Sequence, residues 1–162
     1  MAATKAEIQA VFPELARDDF SITSYEDARY NCIAFACGDS HRWWWPVKRH
    51  GNYWPNEVPL EESVSAFQTL FEAVGYRKCR SARLQVSFER IALFAKGGVP
   101  THAAKQMRDG SWCSKLGIHE DITHALRGLE HSEYGSVVFV MRRATPAQKV
   151  GPFIRWFERL IG

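Results

Sequence analysis

The stretch Asn31-Cys32-Ile33-Ala34-Phe35-Ala36-Cys37-Gly38 decides how this chain is read. Asparagine is a strong N-cap, the residues after it are apolar, and glycine closes the run with the left-handed conformation that ends helices. A short buried helix is predicted, with Asn31 as its cap, Cys32 in its first turn and Gly38 as its stop. A cysteine in that position can be a nucleophile, because unpaired backbone N–H groups at a helix start favour the thiolate. It can equally be a small core residue, since free cysteine is among the most buried residue types.

Upstream, Ile8, Val11, Phe12 and Leu15 recur at helical spacing behind the capping-box pair Thr4 and Glu7, so an amphipathic helix is predicted over 5–15, breaking near Pro13. Residues 18–29 carry turn formers and no clean period. Downstream, Pro46, Gly51 and Pro55 make 43–55 an aromatic loop, and the apolar positions of 60–74 fit a 3.6-residue period that stops at Gly75. Leu84, Val86 and Phe88 alternate with polar neighbours and 91–95 is a compact apolar run, which predicts strands. Asp109-Gly110 predicts a hairpin turn inside 102–115, a helix is expected over 118–129, and 137–141 reads as a buried strand. A final amphipathic helix is expected near the C-terminus, starting about Gly151-Pro152. Helices first and a meander of strands later is the α+β pattern: N-terminal helices, including the cysteine helix, packed on an antiparallel sheet. One domain is expected over 1–162, with 147–162 as a C-terminal helical extension.

The 162 residues are 46% hydrophobic and 24% charged, which excludes a disordered tail, a collagen-like fibre and a membrane bundle. A net charge of +3 does not imply a nucleic-acid partner. No apolar run approaches the ~18 residues of a membrane span. The first thirty residues interleave charged and apolar positions and hold no signal-peptide core, so a cytoplasmic location is expected, with leaderless export as the other route. Cys32, Cys37, Cys79 and Cys113 are expected as free thiols. No Cys-x-x-Cys occurs, and Cys37 lies about 140° around the helix from Cys32, so no metal site is expected.

The most pointed pairing is Asn31-Cys32 with His102, an imidazole able to take a thiol proton and return it to a leaving group. The segments Tyr30-Asn31-Cys32-Ile33-Ala34-Phe35-Ala36 and His102-Ala-Ala-Lys-Gln-Met-Arg-Asp-Gly-Ser-Trp resemble the core of the papain-like superfamily, in its NlpC-type and CHAP amidase branch. With Trp43-Trp44-Trp45-Pro46, Tyr53-Trp54-Pro55 and Trp112-Cys-Ser-Lys-Leu-Gly117, the whole pattern also resembles a family of small bacterial proteins with no established substrate. The papain-like resemblance implies a cysteine peptidase or amidase that needs no cofactor and acts on a peptide-like or peptidoglycan-like substrate. In it Cys32 would attack, His102 would be base and then acid, and a polar third residue would orient His102. Where that branch commonly has a second histidine, this chain has Ser114. A carboxylate would offset imidazolium charge better, and Asp121 is preferred over Glu120 because it adjoins apolar Ile122. Acidic residues in the first turn of a helix over 118–129 would also be expected on dipole grounds alone. The Cys32 backbone N–H and the Asn31 side chain are the candidate oxyanion donors. His119, His124 and His131 read as solvent-facing helix positions, with Asp121 and His124 able to pair locally.

Residues 40–56 hold four tryptophans and several cations without a carboxylate until Glu57. Trp43, Trp44, Trp45 and Trp54 could line a substrate cleft, or could be a lid packed over the core. The alternative to an enzyme is therefore a non-catalytic module on a papain-like scaffold, holding a glycan or single-stranded nucleic acid on this loop.

Overall fold

The computed structural model describes residues 3–145; the helix expected over 147–162 lies outside them. The chain opens with α1 (Lys5–Val11), held by the Thr4/Glu7 capping box, and a 3-10 turn at Pro13–Ala16 where Pro13 ends the helix. Then come β1 (Ser21–Ile22), α2 (Cys32–Cys37), β2 (Trp43–Trp44), β3 (Asn52–Tyr53), α3 (Val64–Ala73), β4 (Arg77–Cys79), β5 (Phe88–Lys96), β6 (Val99–Gln106), β7 (Trp112–Lys115), β8 (Asp121–His124) and β9 (Ser136–Ala144). Seven strands make one sheet in the order β1-β8-β7-β6-β5-β9-β4, every pairing antiparallel. β2 and β3 form a separate parallel pair within the aromatic loop. The architecture is α+β.

Both faces of the sheet are covered, which is why β5 reads as a continuous apolar run rather than an alternating one. Ile91 and Leu93 pack with Ile33, Phe67, Leu70 and Phe71 of α2 and α3, while Ala92 and Phe94 pack with Ile8, Phe12 and Leu15 from the N-terminus. α2 lies on β6, which brings the cysteine helix to the strand that carries His102. Asn31 caps α2 by accepting from the Ala34 N–H at 3.1 Å, and Gly38 ends it at φ 86°.

Three expectations need correction. Residues 118–129 are not a helix: β8 is followed by a 3-10 turn, Leu126–Leu129. The helical face needed Ile118, but that side chain is half exposed in the turn at Gly117, and Thr123 suits a strand that hydrogen-bonds to both β7 and β1. Leu84 and Val86 lie in a loop, Val86 being 91% exposed; β5 starts only at Phe88. α3 starts at Val64, where Ser63 caps it, and Leu60 lies outside. The hairpin at Asp109-Gly110 joins β6 to β7, with Met107 and Ser111 closing the turn.

Among the described residues, no helix is long and apolar enough to cross a membrane.

Candidate functional site

A cavity of about 690 Å³ opens beside the start of α2. Its wall includes Asn31, Cys32, Trp43, Trp45, Thr101, His102 and Tyr134, with Arg49 and His50 from the aromatic loop. Cys32 and His102 therefore face one space from two elements. Cys32 is 6% exposed and His102 is fully buried.

Burial pushes the Cys32 thiol up to about 11, although the backbone N–H groups of Ala103, Ile33 and Cys32 itself favour its thiolate. α2 is a six-residue helix, so its dipole is small beside the cost of placing a charge in an apolar wall. The Ala103 N–H comes from the residue next to His102, which seats the sulfur against β6. Burial, with His124 nearby, holds the His102 imidazole well below its usual range. The resting pair is thus a neutral thiol and a neutral imidazole.

His102 is aimed by its strand. β6 carries a bulge here: Phe94 pairs with His102 and Ala95 with Pro100, which leaves Thr101 as the extra residue. The Thr101 hydroxyl donates to the Tyr134 carbonyl at 2.6 Å, and the Tyr134 ring stacks on the imidazole at 4.2 Å with 5° between planes. Phe94 meets the imidazole edge-to-face at 5.5 Å. His102 Nε2 is 2.9 Å from Ser114 Oγ, Ser114 Oγ is 2.8 Å from His124 Nε2, and His124 Nδ1 is 2.6 Å from the Ala125 carbonyl. His102 Nδ1 is buried with no hydrogen-bond partner.

Of the two candidates for the third position, Ser114 is the one beside His102. Asp121 is not: its Oδ2 accepts from the Tyr30 hydroxyl at 3.2 Å, its backbone N–H donates to Ser24, and its partner in the β7–β8 register is the buried Lys115. Glu120 accepts from the Ala3 backbone N–H. The strand geometry of 121–124 alternates side chains between faces, and this sends Asp121 away from the face that His124 shares with Ser114.

Asn31 also has a structural task. Its Oδ1 accepts from Ala34 and, at 3.3 Å, from the Trp44 N–H, while its Nδ2 donates to the Trp44 carbonyl at 2.8 Å. This side chain fastens α2 to the aromatic loop with one Nδ2 hydrogen, while Asn31 also lines the cavity. Asn31→Ala should cost about 2–3 kcal/mol, because a helix cap is lost and two buried Trp44 groups lose their partner. Urea unfolding followed by tryptophan fluorescence measures it.

The four tryptophans divide. Trp43 and Trp45 line the cavity, and Trp45 also donates to Glu62. Trp44 is buried, donates to Asp39 and packs 4.7 Å from Tyr53; Trp54 donates to the Pro59 carbonyl and packs on Phe67 at 5.1 Å. Neither Trp44 nor Trp54 offers a stacking face to the cavity, so these two belong to the lid. Tyr134 and Thr101 were not anticipated. Their place in the site arises from a turn and a bulge, which leave no periodic mark in sequence.

Four thiols are free, and among the described residues no group of three or more His, Cys, Asp or Glu is arranged to hold a metal ion.

The buried histidines make stability acid-sensitive. Burial lowers His124 from 6.5 to about 4, so the folded state binds that proton later than the unfolded chain does. Its contribution is complete above pH 6.5 and is lost as pH falls toward 4, and His102 acts in the same direction. Unfolding free energy should drop by about 3 kcal/mol over that window from His124 alone. In His124→Gln, which does not titrate, the slope between those pH values should be visibly shallower.

No curated protein and no solved structure matches the chain. One family, described as a domain of unknown function (DUF7689), matches residues 21–142, a span that contains Cys32, His102, Ser114, His124 and Tyr134 and leaves out α1. The chain belongs to that family.

Proposed function

We propose that this protein is a papain-like cysteine hydrolase that cleaves an amide or related acyl bond. The observation that carries the reading is the shared cavity: Cys32 and His102 both wall it, and His102 has one nitrogen tied to Ser114 while the other is buried and unpartnered. A neutral imidazole and a neutral thiol on one cavity are the resting forms a general-base pair starts from; the two are not hydrogen-bonded at rest, and the proton would pass to the bare Nδ1 as substrate binds. His102 takes the Sγ proton as sulfur bonds to the carbonyl carbon and the C=O electrons move onto oxygen. The backbone N–H groups of Cys32, Ile33 and Ala103, which surround the sulfur, are the donors this reading offers to the oxyanion. Its collapse breaks the bond to the leaving amine, which receives the proton from His102 and departs, leaving a thioester on Cys32. Water then attacks that carbonyl with His102 as base, the C–S bond breaks, and the thiol regains its proton. Trp43 and Trp45 supply apolar wall to the acyl group and Arg49 is a cation at the rim, a lining suited to a peptide-like substrate.

Incubation with p-nitrophenyl acetate followed by peptide mass spectrometry tests this directly. Acetyl should appear on Cys32 ahead of Cys37, Cys79 and Cys113.

The burial of Cys32 supports a second reading, a non-catalytic module that binds a glycan in the same cavity. In that case Trp45→Ala abolishes binding, Cys32→Ala is silent, and no acetyl-Cys32 forms.

A further inference from the structure

Resting on the hydrolase reading above, we infer that His124 is a positioning residue: through Ser114 it fixes His102 as the Nε2–H tautomer, leaving the Nδ1 lone pair as the base for Cys32. The order of protons follows from the fixed end of the chain. The Ala125 carbonyl can only accept, so His124 Nδ1, 2.6 Å away, carries a hydrogen. His124 is 2% exposed, and burial holds its imidazole down to about 4, so near neutral pH it is uncharged and its Nε2 bears a lone pair. The Ser114 hydroxyl has one proton, and at 2.8 Å it donates to that lone pair. Ser114 Oγ is then an acceptor toward His102 at 2.9 Å, so the His102 hydrogen sits on Nε2. The remaining nitrogen, His102 Nδ1, has no partner and is left bare in a residue that walls the cavity with Cys32.

A serine alone could not do this. Its hydroxyl can donate to His102 as readily as accept, and donation would put the imidazole hydrogen on Nδ1, where the base is needed. His124 removes that choice by claiming the serine proton. The β7–β8 pairing supplies the geometry: Trp112 pairs with His124 and Ser114 with Ile122, so Ser114 and His124 lie on one face two residues off register.

The test is nitrogen–proton correlation NMR on the full chain labelled with 15N-histidine, alongside the rate of Cys32 acetylation by p-nitrophenyl acetate. The wild type should show His102 as Nε2–H and His124 as Nδ1–H. His124→Leu should move His102 toward Nδ1–H and slow acetylation on the order of 100-fold. His124→Gln, whose amide oxygen can take the serine proton, should keep the wild-type His102 pattern and most of the rate. A His102 Nδ1–H pattern in the wild type overturns the inference; so does a His124→Leu protein that loses rate while keeping Nε2–H, because a purely structural lesion would do that. The wild-type spectrum decides the proton order even where the leucine variant does not fold. A wild type that never acetylates Cys32 overturns the hydrolase reading instead, and the spectrum separates the two failures.

Discussion

Cys32→Ala should abolish acyl transfer to the protein, and His102→Ala should slow it by about 10²–10⁴-fold, the range a positioned general base supplies. Both variants should remain folded. Cys32→Ala removes one sulfur from a wall that already borders a cavity, a change of about 1 kcal/mol. His102→Ala leaves Ser114 still bonded to His124 and opens space beside Tyr134 and Phe94. Circular dichroism and urea midpoints check the fold, and acyl-enzyme mass checks the chemistry. A His102→Ala protein that acylates Cys32 at the wild-type rate would remove the imidazole from the mechanism.

Gly135→Ala should be the most damaging small substitution in the described residues, costing about 3–5 kcal/mol. Gly135 has φ 75°, and a Cβ there would lie 2.1 Å from the Ala95 carbonyl oxygen, with the Lys96 backbone close behind. Strain and overlap add, and the obstacle is the backbone of β5 rather than a flexible side chain, which leaves little room to yield. The damage reaches the site, because the turn closed by the Ser132–Gly135 bridge holds Tyr134 over His102. Gly51→Ala is the control: φ is 92°, but nothing lies within 4 Å, so only the conformational cost of about 1 kcal/mol applies. The difference in urea midpoint at constant slope measures both. Equal costs at the two positions would mean that Ala95 moves aside.

The cysteine helix, its Asn31 cap and its Gly38 stop were legible because capping and left-handed glycine are local chemistry. The Asp109-Gly110 turn and the apolar core of β5 were legible for the same reason. The element over 118–129 was not: its apolar spacing mimics a helix, and what makes 121–124 a strand is the demand of two neighbours distant in sequence. That one misreading propagated into the site. On a helix, Asp121 and His124 would be neighbours and both plausible at the edge; on a strand they point to opposite faces, so Asp121 goes to Tyr30 and His124 goes to Ser114. The division of the tryptophans into lid and cavity wall was likewise hidden, since indole burial is decided by α3 and by partners such as Asp39 and Pro59. Of the two roles open to Cys32 in the sequence, the helix start alone does not make a thiolate, because desolvation outweighs three N–H contacts in a six-residue helix.

The most direct test of a working Cys32–His102 pair is the pH dependence of the Cys32 acetylation rate. His102 is neutral through the physiological range, so as general base it is fully available, and the rate should be flat between about pH 6 and pH 8 and fall only in acid. A lone thiol held near 11 reacts only as its thiolate, and its rate would climb tenfold for each pH unit across the same interval. A plateau means that His102 activates Cys32; a steady tenfold climb, unchanged in His102→Ala, contradicts it.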